Sequence, residues 1–340
     1  MSADAAPLPG RAFLAFPEMS QLLRDELKAR FGVDTPPPPK DETVNPQFAE
    51  GKEQWQGRLL YCPDFPAEGQ SPYWAQTALN EPQLLRFDSM GDAAKAMRGI
   101  QRNWASYQCQ CWRRAQIIQE KLPFIQTRPK KFPAELSTSP MGIFTLADAN
   151  RAIISAATSS FLPCGKLEFT EDHANPPSRA YLKLQESLTL VHHLFGIPYP
   201  TSGDRCLDAG ACPGGWTWVL RGFGAAVHAI DRSPLADKLM RDPLVTFQAH
   251  DAFTIPPAEL GAFDWVVSDV ICYPDRLLPW VKGWIDSGLA KNIICTIKLQ
   301  GGIDWKTIAE FAALPNSRVV HLNYNKHELT YLHAEMPVIS

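Results

Sequence analysis

The sequence predicts an α/β protein whose second half forms a mainly parallel seven-stranded sheet with an antiparallel last strand, preceded by a smaller α+β region. Three observations indicate this fold class. Short apolar runs alternate with segments of helical spacing, which is typical of a sheet covered by helices on both faces. A glycine-rich turn at 210–215 joins one run to a helix start. The last two runs are separated only by 325–327, which is too short for a parallel crossover.

Composition sets broad limits on the protein. A chain of 340 residues accommodates two domains, which we place at 1–170 and 171–340. The net charge of −3 excludes a uniformly basic surface and leaves room for a local basic patch. Eight cysteines without a CxxC pair favour free thiols in a reducing compartment and no metal site. Because no signal sequence or long apolar run is evident, we expect a soluble cytoplasmic protein.

The first half contains fewer regular patterns. An apolar run at 10–16 predicts a strand, and 17–31 an amphipathic helix with Gly32 just past its end. Residues from about 33 to 54 include four consecutive prolines and predict an exposed or disordered insert. Further on, the patterns predict a strand at 55–63, a helix at 89–114, and a hairpin of strands at 141–146 and 151–157. The predicted helix places five residues on one core-facing stripe: Ala93, Ala94, Met97, Ile100 and Trp104.

A basic stretch precedes this hairpin. Between residues 113 and 131 several cations are accompanied by one acidic residue, Glu120, and interleaved with the aromatic residues Trp112 and Phe124. Cations can hold a phosphate backbone while aromatic rings stack on bases. A solvated face followed by a linker explains the same composition equally well. The candidate RNA-binding residues are Arg113, Arg114, Arg128, Lys130 and Lys131, with Arg179 further along the chain.

The second half alternates regularly. Its predicted helices are 178–194, 214–222, 276–288 and 304–313, and its predicted strands are 204–208, 225–231, 244–249, 263–269, 291–298, 318–324 and 328–334. The carboxyl ends of parallel strands line up at one edge of such a sheet, where ligands bind.

Three carboxylates follow successive strands at this edge: Asp208, Asp231 and Asp251. They are suited to hydrogen-bonding an adenosine-type ligand, and an acidic rim favours a sulfonium cation over a pyrophosphate. The glycine spacing is GxxxGG, which differs from the GxGxxG of dinucleotide sites. A tight turn without a ligand remains an alternative. The predicted cofactor-binding residues are Asp208, Gly210, Cys212, Pro213, Gly214, Gly215, Trp216, Asp231, Asp251 and Asp269.

The segment Leu207-Asp208-Ala209-Gly210-Ala211-Cys212-Pro213-Gly214-Gly215-Trp216-Thr217 resembles the S-adenosylmethionine loop of the FtsJ-type ribose 2′-O-methyltransferases. Among them it is most similar to the RlmM-type enzymes, which modify a cytidine of large-subunit (23S) ribosomal RNA. The resemblance extends over roughly 163–334. It implies a Rossmann-like class I methyltransferase domain, S-adenosylmethionine as cofactor and ribosomal RNA as substrate. It also implies a shortened ferredoxin-like and THUMP-like RNA-binding region in the first half.

The family has a Lys–Asp–Lys–Glu catalytic set, and the resemblance places it at Lys183, Asp269, Lys298 and Glu328. We expect Lys298 to act as base or oxyanion partner, Lys183 and Asp269 to act as orienting groups, and Glu328 to hold the lysines in place. A free lysine is protonated at neutral pH. Burial and the charge of Lys183 lower the pKa of Lys298 while the carboxylates raise it, so the sequence leaves the net direction open.

Two other classes of function remain as alternatives. The first is a non-catalytic RNA-binding or assembly protein that retains the methyltransferase fold. The second is an NAD-dependent oxidoreductase, which the glycine spacing disfavours. The target nucleotide, the form of the RNA and the oligomeric state are not determined by the sequence.

Overall fold

The computed structural model describes residues 3–41, 47–66, 68–299 and 301–335. The chain forms two compact units. The first contains Met1–Pro129 and Leu136–Glu168, and the second contains Lys130–Glu135 and Phe169–Ser340. The segment 130–135 thus belongs to the second unit although the chain on either side of it belongs to the first. Within the described residues, no helix has the length and apolar character needed to cross a membrane.

Short strands and three helices make up the described part of the first unit. In chain order they are β1 (Asp4–Pro7), β2 (Arg11–Ala15), α1 (Ser20–Phe31), β3 (Gln54–Gln56), β4 (Leu59–Cys62), β5 (Ala75–Leu79), β6 (Gln83–Arg86), α2 (Met90–Ile100), β7 (Trp104–Ser106), α3 (Trp112–Lys121), β8 (Gly142–Leu146) and β9 (Arg151–Ser155). They form two sheets, with strand orders β1-β6-β9-β8-β7 and β3-β4-β2-β5. This is an α+β arrangement. A complete THUMP-like domain stays a prediction.

Several predictions for this unit are confirmed. The opening strand and helix correspond to β2 and α1, and Gly32 ends α1 in the left-handed region at φ 70°. Strands β8 and β9 pair antiparallel as the predicted hairpin. The predicted strand at 55–63 is a hairpin of two strands, β3 and β4, which pair antiparallel.

The predicted helix at 89–114 is wrong. The chain forms α2, then strand β7, and then begins α3. Ala93, Ala94 and Met97 are buried as expected, whereas Ile100 is 44% exposed. Trp104 is buried but belongs to β7, where its indole N–H donates to the carbonyl oxygen of Met97 at 3.0 Å. Its helical spacing from α2 therefore reflects burial in the same core rather than one continuous helix.

The proline-rich insert is anchored at two described points. The side chain of Arg24 donates to the carbonyl oxygen of Thr35 at 2.8 Å, and the indole of Trp55 donates to that of Pro36 at 2.9 Å. Residues 33–41 and 47–53 contain no helix or strand, as predicted. The part of the predicted insert at 42–46 lies outside the described residues.

The second unit follows the predicted alternation closely. Its strands and longer helices are α4 (Tyr181–Phe195), β10 (Arg205–Ala209), α5 (Gly215–Gly222), β11 (Ala226–Asp231), α6 (Asp237–Met240), β12 (Val245–Ala249), α7 (Pro257–Leu260), β13 (Phe263–Ser268), α8 (Pro274–Ser287), β14 (Ala290–Lys298), α9 (Trp305–Ala312), β15 (Ser317–Val320) and β16 (Glu328–Ala334). The described residues form a seven-stranded sheet with the order β12-β11-β10-β13-β14-β16-β15. Strand β16 is antiparallel to both of its neighbours, and the other paired strands are parallel. The predicted mainly parallel sheet is confirmed.

The connection before the last strand differs from the prediction. Strand β15 ends at Val320, so the connection to β16 is 321–327 rather than 325–327. The backbone N–H groups of Asn323 and Tyr324 donate to the carboxylate of Glu186 on α4. The backbone donors of these two residues are thus satisfied by a side chain of α4 and not by a neighbouring strand.

Candidate active site

Four polar residues that are far apart in the sequence meet at one edge of this sheet. Lys298 ends β14 and Glu328 begins β16, and the two are direct partners in the antiparallel register. Asp269 immediately follows β13, which is the other neighbour of β14. Lys183 comes from α4, which packs against β16. The fold thus brings together all four residues of the expected catalytic set.

The four side chains form a closed cluster of alternating charges. The Lys298 ammonium lies 2.6 Å from Asp269 Oδ1 and 2.9 Å from Glu328 Oε2. The Lys183 ammonium lies 3.3 Å from Asp269 Oδ1 and also forms an ion pair with Glu328 Oε1. The side chains are 11–18% exposed. Each charge therefore has two opposite partners and limited contact with water.

This arrangement settles the pKa direction that the sequence left open. Burial favours a neutral lysine, but the charges and hydrogen bonds of Asp269 and Glu328 outweigh it and raise the pKa of Lys298 above its usual value. Burial would also raise the pKa of Glu328, yet the two lysines lower it. At neutral pH Lys298 is an ammonium ion and Glu328 a carboxylate.

The glycine-rich turn connects β10 to α5. Gly210 has φ +78° and Gly214 has φ +107°, in the left-handed region that favours glycine. A Cβ on Gly214 would lie 2.3 Å from Leu239 Cδ1, and one on Gly210 would lie 2.8 Å from Val270 Cβ. We expected these glycines to leave space for a ligand. The structure adds that the chain's own packing requires them.

The remaining residues of the turn have different surroundings. The backbone N–H of Cys212 donates to Asp231, and the carbonyl oxygen of Pro213 accepts from the Ala236 N–H at 3.0 Å. A Cβ on Gly215 would lie 2.4 Å from Ser178 Oγ. Cys212 is exposed and is joined to Pro213 by a cis peptide bond. The turn therefore packs against both β11 and the segment before α4.

Two of the predicted ligand contacts are buried and make hydrogen bonds within the chain. Asp208 is 1% exposed and accepts a hydrogen bond from the Thr217 hydroxyl at 2.6 Å. Burial raises the pKa of Asp208 to about 7, although hydrogen bonds from Thr217 act in the other direction. Trp216 is 3% exposed, and its indole donates to the carbonyl oxygen of Ala180 at 2.9 Å. The expected acidic rim therefore lacks Asp208, and Trp216 fastens α5 to the start of α4.

Asp231 and Asp251 lie at the carboxyl ends of neighbouring strands. Asp231 accepts backbone hydrogen bonds from Cys212 at 3.0 Å and Ser233 at 2.9 Å. Asp251 Oδ2 forms ion pairs with Arg232 at 2.7 Å and Arg276 at 2.9 Å. Burial opposes ionisation of Asp251, but these hydrogen bonds and charges lower its pKa overall. The rim is consequently less negative than the sequence predicted.

The candidate RNA-binding residues are distributed over both units. Arg113 and Arg114 lie on α3, and Arg128 also belongs to the first unit, whereas Lys130 and Lys131 belong to the second. Arg179 is 72% exposed and donates two hydrogen bonds to Glu171, at 3.0 and 2.6 Å. The continuous basic stretch of the sequence is thus divided at residue 130.

Sequence reasoning missed Thr217 and Glu186. Thr217 is fully buried under the turn, and Glu186 is 2% exposed on α4. A carboxylate within the buried run of α4, between Leu184 and Leu188, is a signal that could have identified Glu186. No comparable pattern distinguishes Thr217.

Part of the chain is similar to a known protein family. Residues 176–286 match the sequence profile described as FtsJ-like methyltransferase. This range includes Lys183 and Asp269, whereas Lys298 and Glu328 lie beyond it. Methyltransferases of this family use S-adenosylmethionine, in agreement with the expected cofactor.

Curated relatives carry the name ribosomal RNA large subunit methyltransferase M. The protein from Alteromonas mediterranea is 35% identical over 188 residues, which cover 52% of this chain and 50% of that protein. The protein from Halorhodospira halophila is 42% identical over 125 residues, covering 37% of this chain and 36% of that protein. The chain thus matches about half or less of these relatives' length.

A solved structure is also similar to part of the chain. It is a 1,6-didemethyltoxoflavin-N1-methyltransferase of Burkholderia thailandensis with bound S-adenosylhomocysteine. It has 17% sequence identity and a TM-score of 0.32, and the match covers 46% of this chain and 80% of that one. The sequence profile and the curated relatives confirm the predicted resemblance to the FtsJ-like methyltransferases, and the profile places it at residues 176–286.

Proposed function

We propose that the second unit transfers a methyl group from S-adenosylmethionine to a ribose 2′-hydroxyl of RNA, with a cytidine of 23S ribosomal RNA as the target. The observation that carries this proposal is the closed cluster of Lys183, Asp269, Lys298 and Glu328. The names of the curated relatives support an RNA substrate. The ribose position and the cytidine rest on the resemblance to RlmM-type enzymes.

The residues around the turn fit such a cofactor. Carboxylates at the ends of β11 and β12 suit the hydroxyl and amino groups of an adenosine moiety. We assign Asp231 and Asp251 to these contacts, with the backbone of 210–215 beside them. Because Asp251 is paired with Arg232 and Arg276, its contact requires that at least one arginine shares the carboxylate. When bound, S-adenosylmethionine supplies a methyl group activated by a positively charged sulfur.

In the proposed reaction the ribose 2′-oxygen forms a bond to the methyl carbon as the sulfur–methyl bond breaks, and the hydroxyl proton passes to water. Lys298 is already an ammonium ion, so we assign it to orient the hydroxyl and stabilise negative charge developing on its oxygen. Asp269 and Glu328 hold the Lys298 ammonium in place, and Lys183 neutralises both carboxylates. Positioning supplies much of the rate in this scheme.

Two exposed hydrophobic residues lie two and four positions after Asp269. Ile271 is 76% exposed and Tyr273 is 61% exposed, while Cys272 between them is buried. We assign this pair to contact the base of the target nucleotide, since aromatic side chains stack on bases. The change Tyr273→Ala should raise the KM for RNA about tenfold, a cost of the order expected for one lost stacking contact. Tyr273→Phe should retain the wild-type value, and equal KM values for all three proteins would reject the assignment.

The test of the proposed function is methyl transfer from labelled S-adenosylmethionine to ribosomal RNA, followed by mapping of 2′-O-methyl positions. Label in a cytidine ribose of 23S RNA supports the proposal. RNA binding without transfer would favour the alternative of a non-catalytic binding or assembly protein. A melting temperature raised by NAD and unchanged by S-adenosylmethionine would favour an oxidoreductase.

A further inference from the structure

Helix α4 carries a second charged residue on its buried side, besides Lys183. Glu186 lies three residues after Lys183, which places both side chains on neighbouring positions of the helix surface. Its side chain is 2% exposed, and its helix neighbours Leu184 and Leu188 are buried apolar residues. A carboxylate in such a place costs free energy unless its oxygens accept hydrogen bonds.

Both carboxylate oxygens of Glu186 accept hydrogen bonds from the connection between β15 and β16. Oε1 accepts from the backbone N–H of Asn323 at 2.9 Å and from its side-chain amide at 3.1 Å. Oε2 accepts from the backbone N–H of Tyr324 at 3.2 Å. Burial nevertheless raises the pKa of Glu186 to about 7, against the effect of these hydrogen bonds.

The connection that Glu186 holds leads directly to the four-residue cluster. Glu328 follows Tyr324 by four residues and begins β16. The Asn325 side chain donates to the Thr330 hydroxyl at 3.1 Å, which fastens the end of the connection to the same strand. Glu328 then forms its ion pair with Lys183, one turn before Glu186 on α4. Helix α4 therefore contacts both the connection and Glu328, the strand residue that follows the connection.

We propose that Glu186 is a positioning residue for the methyl-transfer site: by binding the connection 321–327, it fixes where Glu328 meets Lys183 and Lys298. This inference rests on the proposed function of the cluster. An apolar residue would fill the same space but would leave the N–H groups of Asn323 and Tyr324 without their acceptors. The carboxylate, and not the bulk of the side chain, therefore holds this connection in its position.

The test is Glu186→Gln, which preserves the size of the side chain. Its amide oxygen replaces one acceptor, while its NH2 group places a donor opposite a backbone N–H. A displacement of about 1 Å at a catalytic group can reduce turnover on the order of a hundredfold. We expect kcat to fall about tenfold to a hundredfold, with the KM for RNA and the Kd for S-adenosylmethionine within about twofold of wild type. Glu186→Asp keeps the charge with a shorter reach and should recover part of the lost kcat.

A matched control is available in the first unit. Glu26 is fully buried and accepts backbone hydrogen bonds from Tyr73 at 2.9 Å and Trp74 at 3.0 Å. Glu26→Gln thus disturbs a similar buried carboxylate outside the site, and we expect it to leave kcat unchanged. Amide hydrogen exchange supplies a readout besides activity: Glu186→Gln should accelerate exchange at 323–328 and leave exchange in β10 unchanged.

The outcomes separate the two proposals. Wild-type protein without methyl transfer refutes the proposed function and, with it, this role for Glu186. An active wild type with unchanged kcat in a folded Glu186→Gln protein overturns the positioning role alone. If Glu186→Gln does not fold, the test uses Glu186→Asp. A wild-type kcat together with faster amide exchange at 323–328 would then overturn the positioning role. A reduced kcat would support it.

Discussion

The change Lys298→Ala probes the four-residue cluster most directly. It removes the ammonium that lies 2.6 Å from Asp269 and 2.9 Å from Glu328. Asp269 and Glu328 both keep Lys183 as a partner, so neither carboxylate loses all of its cationic contacts. The turn at 210–215 makes no hydrogen bond with Lys298 among the contacts of the described residues, and we therefore expect cofactor affinity to remain near that of wild type.

The expected effect is on turnover. Loss of one hydrogen-bond donor to developing negative charge reduces kcat by about a hundredfold to a thousandfold, or roughly 3–4 kcal/mol of transition-state stabilisation. The assay is transfer of labelled methyl groups to ribosomal RNA at saturating cofactor, with calorimetry of cofactor binding. Lys291→Ala is the control, because Lys291 is the second residue of the same strand and its exposed side chain forms an ion pair with Asp264, away from the cluster. Wild-type kcat in Lys298→Ala would refute the role assigned to Lys298.

Three further predictions concern the turn, the pH dependence and RNA binding. Gly214→Val places a Cβ against Leu239 at a residue whose φ is in the left-handed region. The melting temperature and the affinity for the cofactor should therefore both fall. Calorimetry that shows neither change would contradict the packing of this turn. Burial raises the pKa of Asp208 and Glu186 to about 7, so the folded state binds more protons than the unfolded state between about pH 4.5 and 7. These groups should make the free energy of unfolding fall as pH rises through that window, and denaturant titrations of Asp208→Asn should show a smaller fall. Charge reversal at Lys130 and Lys131 should weaken RNA binding and reduce its dependence on salt; an unchanged salt slope would exclude this patch.

The architecture of the second unit was largely predictable because parallel strands buried on both faces are continuous apolar runs. Each predicted strand overlaps an observed one, and β15 alone ends well before its predicted limit. Beyond that end, Asn323 and Tyr324 donate to Glu186, a contact across the fold that local sequence does not reveal. Strands β5 and β6 of the first unit were missed because polar residues such as Gln76, Thr77 and Gln83 interrupt their apolar pattern.

The sequence indicated which residues form the candidate site, but it left the direction of the pKa shift of Lys298 open. The resemblance identified Lys183, Asp269, Lys298 and Glu328, and the fold brings them together. The raised pKa of Lys298 depends on two carboxylates that come from the strands on either side of β14, so no local pattern in the sequence determines its direction. Asp208 is buried and accepts a hydrogen bond from Thr217, which its position beside a ligand-binding turn does not reveal.

We propose that the second unit methylates a ribose 2′-hydroxyl through this cluster. The most direct measurement maps 2′-O-methyl groups in ribosomal RNA after incubation with S-adenosylmethionine and either wild-type or Lys298→Ala protein. We expect one new 2′-O-methylcytidine in 23S RNA with the wild type and almost none with the variant. A methyl group on a base, or equal methylation by both proteins, would contradict it.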